Sequence, residues 1–77
     1  MSSAVVPLHL LPAGQSASVC QIVGQSDLIH RLREFGFSDG AEVQMFRPGD
    51  PCIVRLAGNK VCVRADDRLH VLVKPRE

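Results

Sequence analysis

Between Arg31 and Val43 the chain reads Arg-Leu-Arg-Glu-Phe-Gly-Phe-Ser-Asp-Gly-Ala-Glu-Val, a short helix stopped by glycine, then a turn, then the opening of a strand. The remainder alternates or runs apolar over short stretches, the pattern of small β-strands. A single helix placed early in an otherwise β chain leaves few architectures open. About ten residues cannot hold a helix in isolation, so its apolar face has to close one end or side of whatever the strands build.

Within that helix Leu28, Ile29, Leu32 and Phe35 recur at helical spacings on one face, while His30, Arg31, Arg33 and Glu34 occupy the rest. Ser26 or Asp27 can cap the start by accepting a hydrogen bond from an unpaired backbone N–H, and Asp27 suits the positive end of the helix dipole. Gly36 is placed to take the left-handed conformation that terminates a helix.

The strands follow from turn signals. Leu8 to Leu11 reads as a short edge segment, and Pro12-Ala13-Gly14 leads into a first full strand over 17–23. Strict alternation would put Val19 and Ile22 on opposite faces, so a bulge is expected there if both reach a core. Ala41 to Arg47 forms the next strand, with Val43 and Met45 on one face and Gln44 and Phe46 on the other. Pro48-Gly49-Asp50-Pro51 breaks it. Cys52–Leu56 and Lys60–Arg64 then flank Ala57-Gly58-Asn59 as a hairpin. A last turn at Asp66-Asp67-Arg68 precedes a closing strand from Leu69 to Lys74.

Five short strands with one helix between the first two predict a mainly β fold, a small, strongly bent SH3-like barrel spanning residues 1–77 as one domain. An OB-type barrel fits less well because its helix comes between later strands. The chain has 77 residues, with no Trp or Tyr and three Phe, so the core has to be built from Val, Leu, Ile and Ala.

Composition removes several function classes. The net charge of +1 gives no overall field to draw the protein to nucleic acid or an anionic membrane. Three widely spaced cysteines, Cys20, Cys52 and Cys62, form no Cys-x-x-Cys pair, which argues against a disulfide framework or structural zinc and for a reducing, cytoplasmic compartment. The start lacks the charged and unbroken apolar pattern of a signal peptide, and no apolar run reaches the ~20 residues of a membrane span. His9, His30 and His70 have no partner at ligand spacing, so no metal or cofactor is expected. Pro48-Gly49-Asp50-Pro51 lacks the spacing of a phosphate loop, and a cysteine nucleophile would need a base and an oxyanion donor for which one narrow barrel has little room. The expectation is a non-enzyme. Seven of the nine basic residues are Arg, a residue favoured at interfaces, although most of these are expected to be ordinary solvated surface.

Gly14-Gln15-Ser16-Ala17, Ile22, Gly24, Arg31-Leu32, Gly36-Phe37-Ser38-Asp39-Gly40 with Val43, Gly49-Asp50-Pro51, Gly58 and Val61-Cys62-Val63-Arg64 come in an order that resembles the FeoA family. The most specific part is Arg-Leu followed by Gly-Phe-x-x-Gly-x-x-Val and then Gly-Asp-Pro. The resemblance implies a cytoplasmic accessory of bacterial ferrous-iron uptake with the membrane transporter FeoB, by its G-protein domain or another cytosolic surface, as partner. It implies no catalysis, no nucleic acid and no membrane insertion, with weak self-association left open. On this reading an apolar groove between helix and strands, rimmed by Arg, docks the partner, and the candidate contacts are Leu28, Arg31, Leu32, Phe37, Phe46 and Arg47. Core packing competes for Leu28 and Leu32, whereas Phe46 and Arg47 lie on the outward face or at its rim. The alternatives are a regulatory domain like those at the C-terminal end of metal-dependent repressors, and a small iron-carrying chaperone.

Overall fold

A computed structural model describes residues 4–64 and 69–76; the expected turn at Asp66-Asp67-Arg68 lies outside them. The elements run β1 (Val6–Pro7), a 3-10 turn (Leu8–Leu10), β2 (Ser16–Gly24), α1 (Ser26–Glu34), β3 (Glu42–Arg47), β4 (Cys52–Leu56), β5 (Asn59–Val63) and β6 (Leu69–Pro75). All pairings are antiparallel, in one six-stranded sheet of order β1-β6-β2-β3-β4-β5. The mainly β, SH3-like class expected from the sequence holds, with the helix after the first long strand.

The strand count and closure differ from expectation. Residues 8–10 form a 3-10 turn instead of an edge strand, and Val6–Pro7 just before them pair with Val73 and Leu72. Pro7 lacks the N–H that a longer strand would need, which suits a two-residue edge. Among the described residues β1 and β5 do not pair, so the sheet curls around its core without hydrogen-bonded closure.

β2 is the backbone of the fold because it pairs on both sides, with β3 over 16–18 and with β6 along its whole length. The β2–β6 register shifts between Val19 and Gln21, and this bulge turns Ala17, Val19 and Ile22 all into the core. The expected conflict between alternation and burial is resolved by that one extra residue.

Helix α1 begins at Ser26 behind an N-cap Gln25 that makes no side-chain capping bond, so neither Ser26 nor Asp27 is the cap; Asp27 sits in the first turn, where it still complements the dipole. The far end is a Schellman motif. Gly36 N–H donates to the Arg33 carbonyl at 3.0 Å and Phe37 N–H to the Leu32 carbonyl at 3.1 Å, with Gly36 at φ +105°. That turn swings the chain so that Phe37, beyond the helix, enters the core at 0 % exposure. Phe35, expected on the apolar face, is left 60 % exposed.

The β4–β5 connection is tighter than expected. Leu56 pairs with Asn59, leaving Ala57 and Gly58 as a two-residue loop with φ of 53° and 84°. Positive φ at both central positions is the type I′ pattern, which matches strand twist but penalises a residue with a Cβ. Asn tolerates this conformation better than Ala. Ala57→Asn is therefore expected to raise unfolding free energy by about 0.5–1 kcal/mol, read as a higher midpoint at unchanged slope in denaturant titration.

The core comprises Leu8, Leu11, Val19, Phe37, Val43, Met45, Val54, Val71 and Val73 with their buried neighbours, and among the described residues no polar or charged side chain is buried. Cys52 belongs to it as a small hydrophobe. Burial pushes its thiol above the ordinary value of 9.0, with Asp50 adding a smaller push and a backbone hydrogen bond opposing. A thiol pKa raised on folding stabilises the fold fully below the unfolded-chain value and loses that contribution as pH climbs through the folded one. Stability is expected to fall above about pH 9, and pH-resolved denaturation should show a shallower decline in Cys52→Ala.

Candidate partner-binding surface

Among the described residues the helix does not frame an open groove. Leu32 is buried under α1 and Phe37 fills the space below its C-terminus, while Leu28 and Ile29 are half-buried against the same core. Leu56 comes in from β4 to meet the backbone at Gly36, within 3.3 Å of where a Cβ would stand. The expected apolar groove is thus occupied by the chain's own side chains. Leu32 and Phe37 are corrected from contacts to core, because the Schellman turn directs Phe37 inward against the helix it terminates. Leu28 offers only its outer part. Arg31 is exposed, on a shallow helix surface with Ser26, Asp27, His30 and Glu34, apart from β3. There His30 Nε2 lies 3.4 Å from a Glu34 carboxylate oxygen, an exposed pair one helical turn apart that contributes little.

Phe46 and Arg47 are exposed at the end of β3, as expected of the outward face. What the sequence did not reveal is their company. The β3–β4 register shifts between Met45 and Arg47: Met45 pairs with Val54 and Arg47 with Ile53, so Phe46 is the extra residue of a bulge. Bulges re-aim side chains, and this ring, 42 % exposed, lies under Lys60 Nζ at 3.9 Å from its centroid and Arg55 Cζ at 5.4 Å. Arg55 and Lys60 are directly paired across β4 and β5. The face presents an aromatic ring with two cations over it, flanked by half-buried Ile53 and exposed Cys62, itself a cross-strand pair.

Cation–π attraction of about 0.5–1 kcal/mol at exposed sites holds each cation near the ring. Against it, two like charges directly opposite on adjacent strands repel. The acid of this face, Glu42 on β3, is engaged elsewhere, accepting hydrogen bonds from Arg76 Nη1 at 2.9 and 3.0 Å. Among the described residues neither Arg55 nor Lys60 has a carboxylate partner. Arg55 and Lys60 escaped the sequence reading because they come to Phe46 only through cross-strand register and a bulge.

The cysteines and histidines give no comparable cluster. Cys52 and Cys62 occupy neighbouring strands but face opposite ways, one buried and one exposed, and both are free thiols. His9, Cys52 and His70 line one narrow apolar cleft. Among the described residues no three His, Cys, Asp or Glu side chains are set to hold a metal ion. Nor is any helix among them long and apolar enough to cross a membrane.

Three comparisons bear on this architecture. Among curated proteins, none matches the chain. The crystal structure of an iron uptake regulatory protein (FeoA) is similar at TM-score 0.81 and 23 % identity, covering 95 % of this chain and 100 % of that one, a likeness of fold. The model of the FeoA domain matches residues 6–75, from β1 to the end of β6. The chain therefore belongs to the FeoA domain family.

Proposed function

We propose that this protein is a non-catalytic, cytoplasmic accessory of ferrous iron uptake that binds the FeoB transporter and biases it between states through the outward face of β3–β5. The observation that carries this reading is Phe46, a large aromatic left 42 % exposed on a rigid sheet, with Arg55 and Lys60 over its ring and Arg47 beside it in sequence. Aromatic and Arg side chains are the residue types that dominate binding energy when a partner desolvates them. A ligand or partner shifts an equilibrium only by its differential affinity for the two states, so the accessory acts by preferring one nucleotide or transport state of the transporter.

The test is binding of the purified chain to the full transporter and to its cytosolic G-protein domain in each nucleotide state. Phe46→Ala with Arg47→Ala is expected to weaken binding by about 30-fold or more, the loss of about 2 kcal/mol typical of one central contact. Because both side chains point outward, the fold should survive with an unchanged circular dichroism spectrum. Unaltered affinity in a folded double variant would remove this face from the reading.

A further inference from the structure

Strand β5 ends the sheet, and no described residue pairs with its outer side. In a hairpin with a two-residue loop the pair flanking the turn is hydrogen-bonded and the pairs alternate from there. Leu56–Asn59, Val54–Val61 and Cys52–Val63 are then the bonded pairs, and Arg55–Lys60 and Ile53–Cys62 the unbonded ones. It follows that the N–H and C=O groups of Lys60 and Cys62 point away from β4 to the free edge. The side chains of these two residues lie on the outer face, beside Phe46, while half-buried Val61 lies on the core side.

We propose that β5 takes up an extended acidic segment of a protein partner as a seventh, antiparallel strand. Main-chain bonds to Lys60 and Cys62 would align it, and its outward acidic side chains would sit against the Arg55–Lys60 pair. Apolar side chains at the alternate positions would cover Val61. The choice of an acidic occupant follows from charge: β3–β5 place two cations opposite each other with their only acid, Glu42, held by Arg76. Lysine on a free edge discourages pairing with a like or neutral strand, and an acid directly across from it reverses that preference. Strand addition of this kind takes affinity from the backbone and specificity from alternate side chains. The inference rests on the partner-binding reading above for its biological occupant, and on the edge geometry alone for its chemistry.

The experiment has two arms on the full chain. In the first, a ten-residue peptide alternating Glu and Val is titrated and followed by amide NMR, with a Lys-Val peptide as control. The expected result is shifts confined to β5 and its neighbours, slowed exchange of the Lys60 and Cys62 amides, and at least tenfold preference for the acidic peptide that shrinks with added salt. Cys62→Pro, which removes an outward donor without touching the β4–β5 ladder, and Lys60→Gln should each cut that binding about tenfold. Equal binding of both peptides, shifts elsewhere, or binding indifferent to Cys62→Pro in a folded variant overturns the inference. In the second arm the same variants are tested against the FeoB transporter. Binding of the transporter that survives Cys62→Pro overturns strand addition while sparing the partner reading; edge-specific peptide binding with no transporter binding overturns the partner reading and leaves the edge site standing.

Discussion

Phe37→Ala is expected to lower the unfolding free energy by about 3–5 kcal/mol, the range for truncating a fully buried aromatic. For 77 residues the whole stability is only about 4–12 kcal/mol at the usual allowance per residue. The variant should therefore lose a large share of its stability and show a denaturant midpoint far below the parent's. The ring is at 0 % exposure and seals the junction of α1, the following turn and the sheet, so nothing around it can collapse without moving the helix. Phe37→Leu fills most of the volume and should cost about 1.5 kcal/mol or less. That pair of variants separates a core role from a contact role. If Phe37→Ala stayed as stable as the parent yet lost partner binding, the assignment of this ring to the core would be wrong.

The same residue shows where reading from sequence ran out. Helical periodicity counts Phe35 as the continuation of the Leu28, Ile29 and Leu32 stripe and says nothing about Phe37, since the period of 3.6 stops applying once a glycine turns the chain. The burial of Phe37 is dictated by the hydrogen bond from its N–H to the Leu32 carbonyl, which draws the first residue after Gly36 back against the helix. By contrast the bulge in β2 was legible, because Val19 and Ile22 could not both be buried without it. On β3 the alternation placed Val43 and Met45 inward and Phe46 outward, as found. The cations over Phe46 were not legible. Their positions depend on which residue of β4 faces which residue of β3, and a one-residue slip moves every side chain to the other face. The open edge was hidden for a related reason, since closure depends on whether β1 is long enough to reach β5, and a barrel and a curled sheet share the same alternation.

Gly36→Ala is expected to cost about 2 kcal/mol, more than the same change at the other turn glycines, and to lower the melting temperature by roughly 10 °C. Two separable effects add. The backbone there is at φ +105°, a conformation that an L side chain adopts only with a penalty of about 1–2 kcal/mol. A Cβ would also come within 3.3 Å of Leu56 Cδ2, which is itself buried in the core and has little freedom to retreat. Gly40 and Gly58 supply the comparison: at φ +86° and +84° a Cβ on either meets nothing within 4 Å, so alanine there bears the conformational penalty alone. The difference between Gly36→Ala and Gly40→Ala in denaturant titration then measures the crowding. A double-mutant cycle with Leu56→Ala checks the cause, because the two changes share a contact and should not add. In the Leu56→Ala background the cost of Gly36→Ala should drop to that of Gly40→Ala. Full additivity would mean that the helix terminus and the β4 side chain are uncoupled, and that the Schellman turn alone fixes where α1 ends.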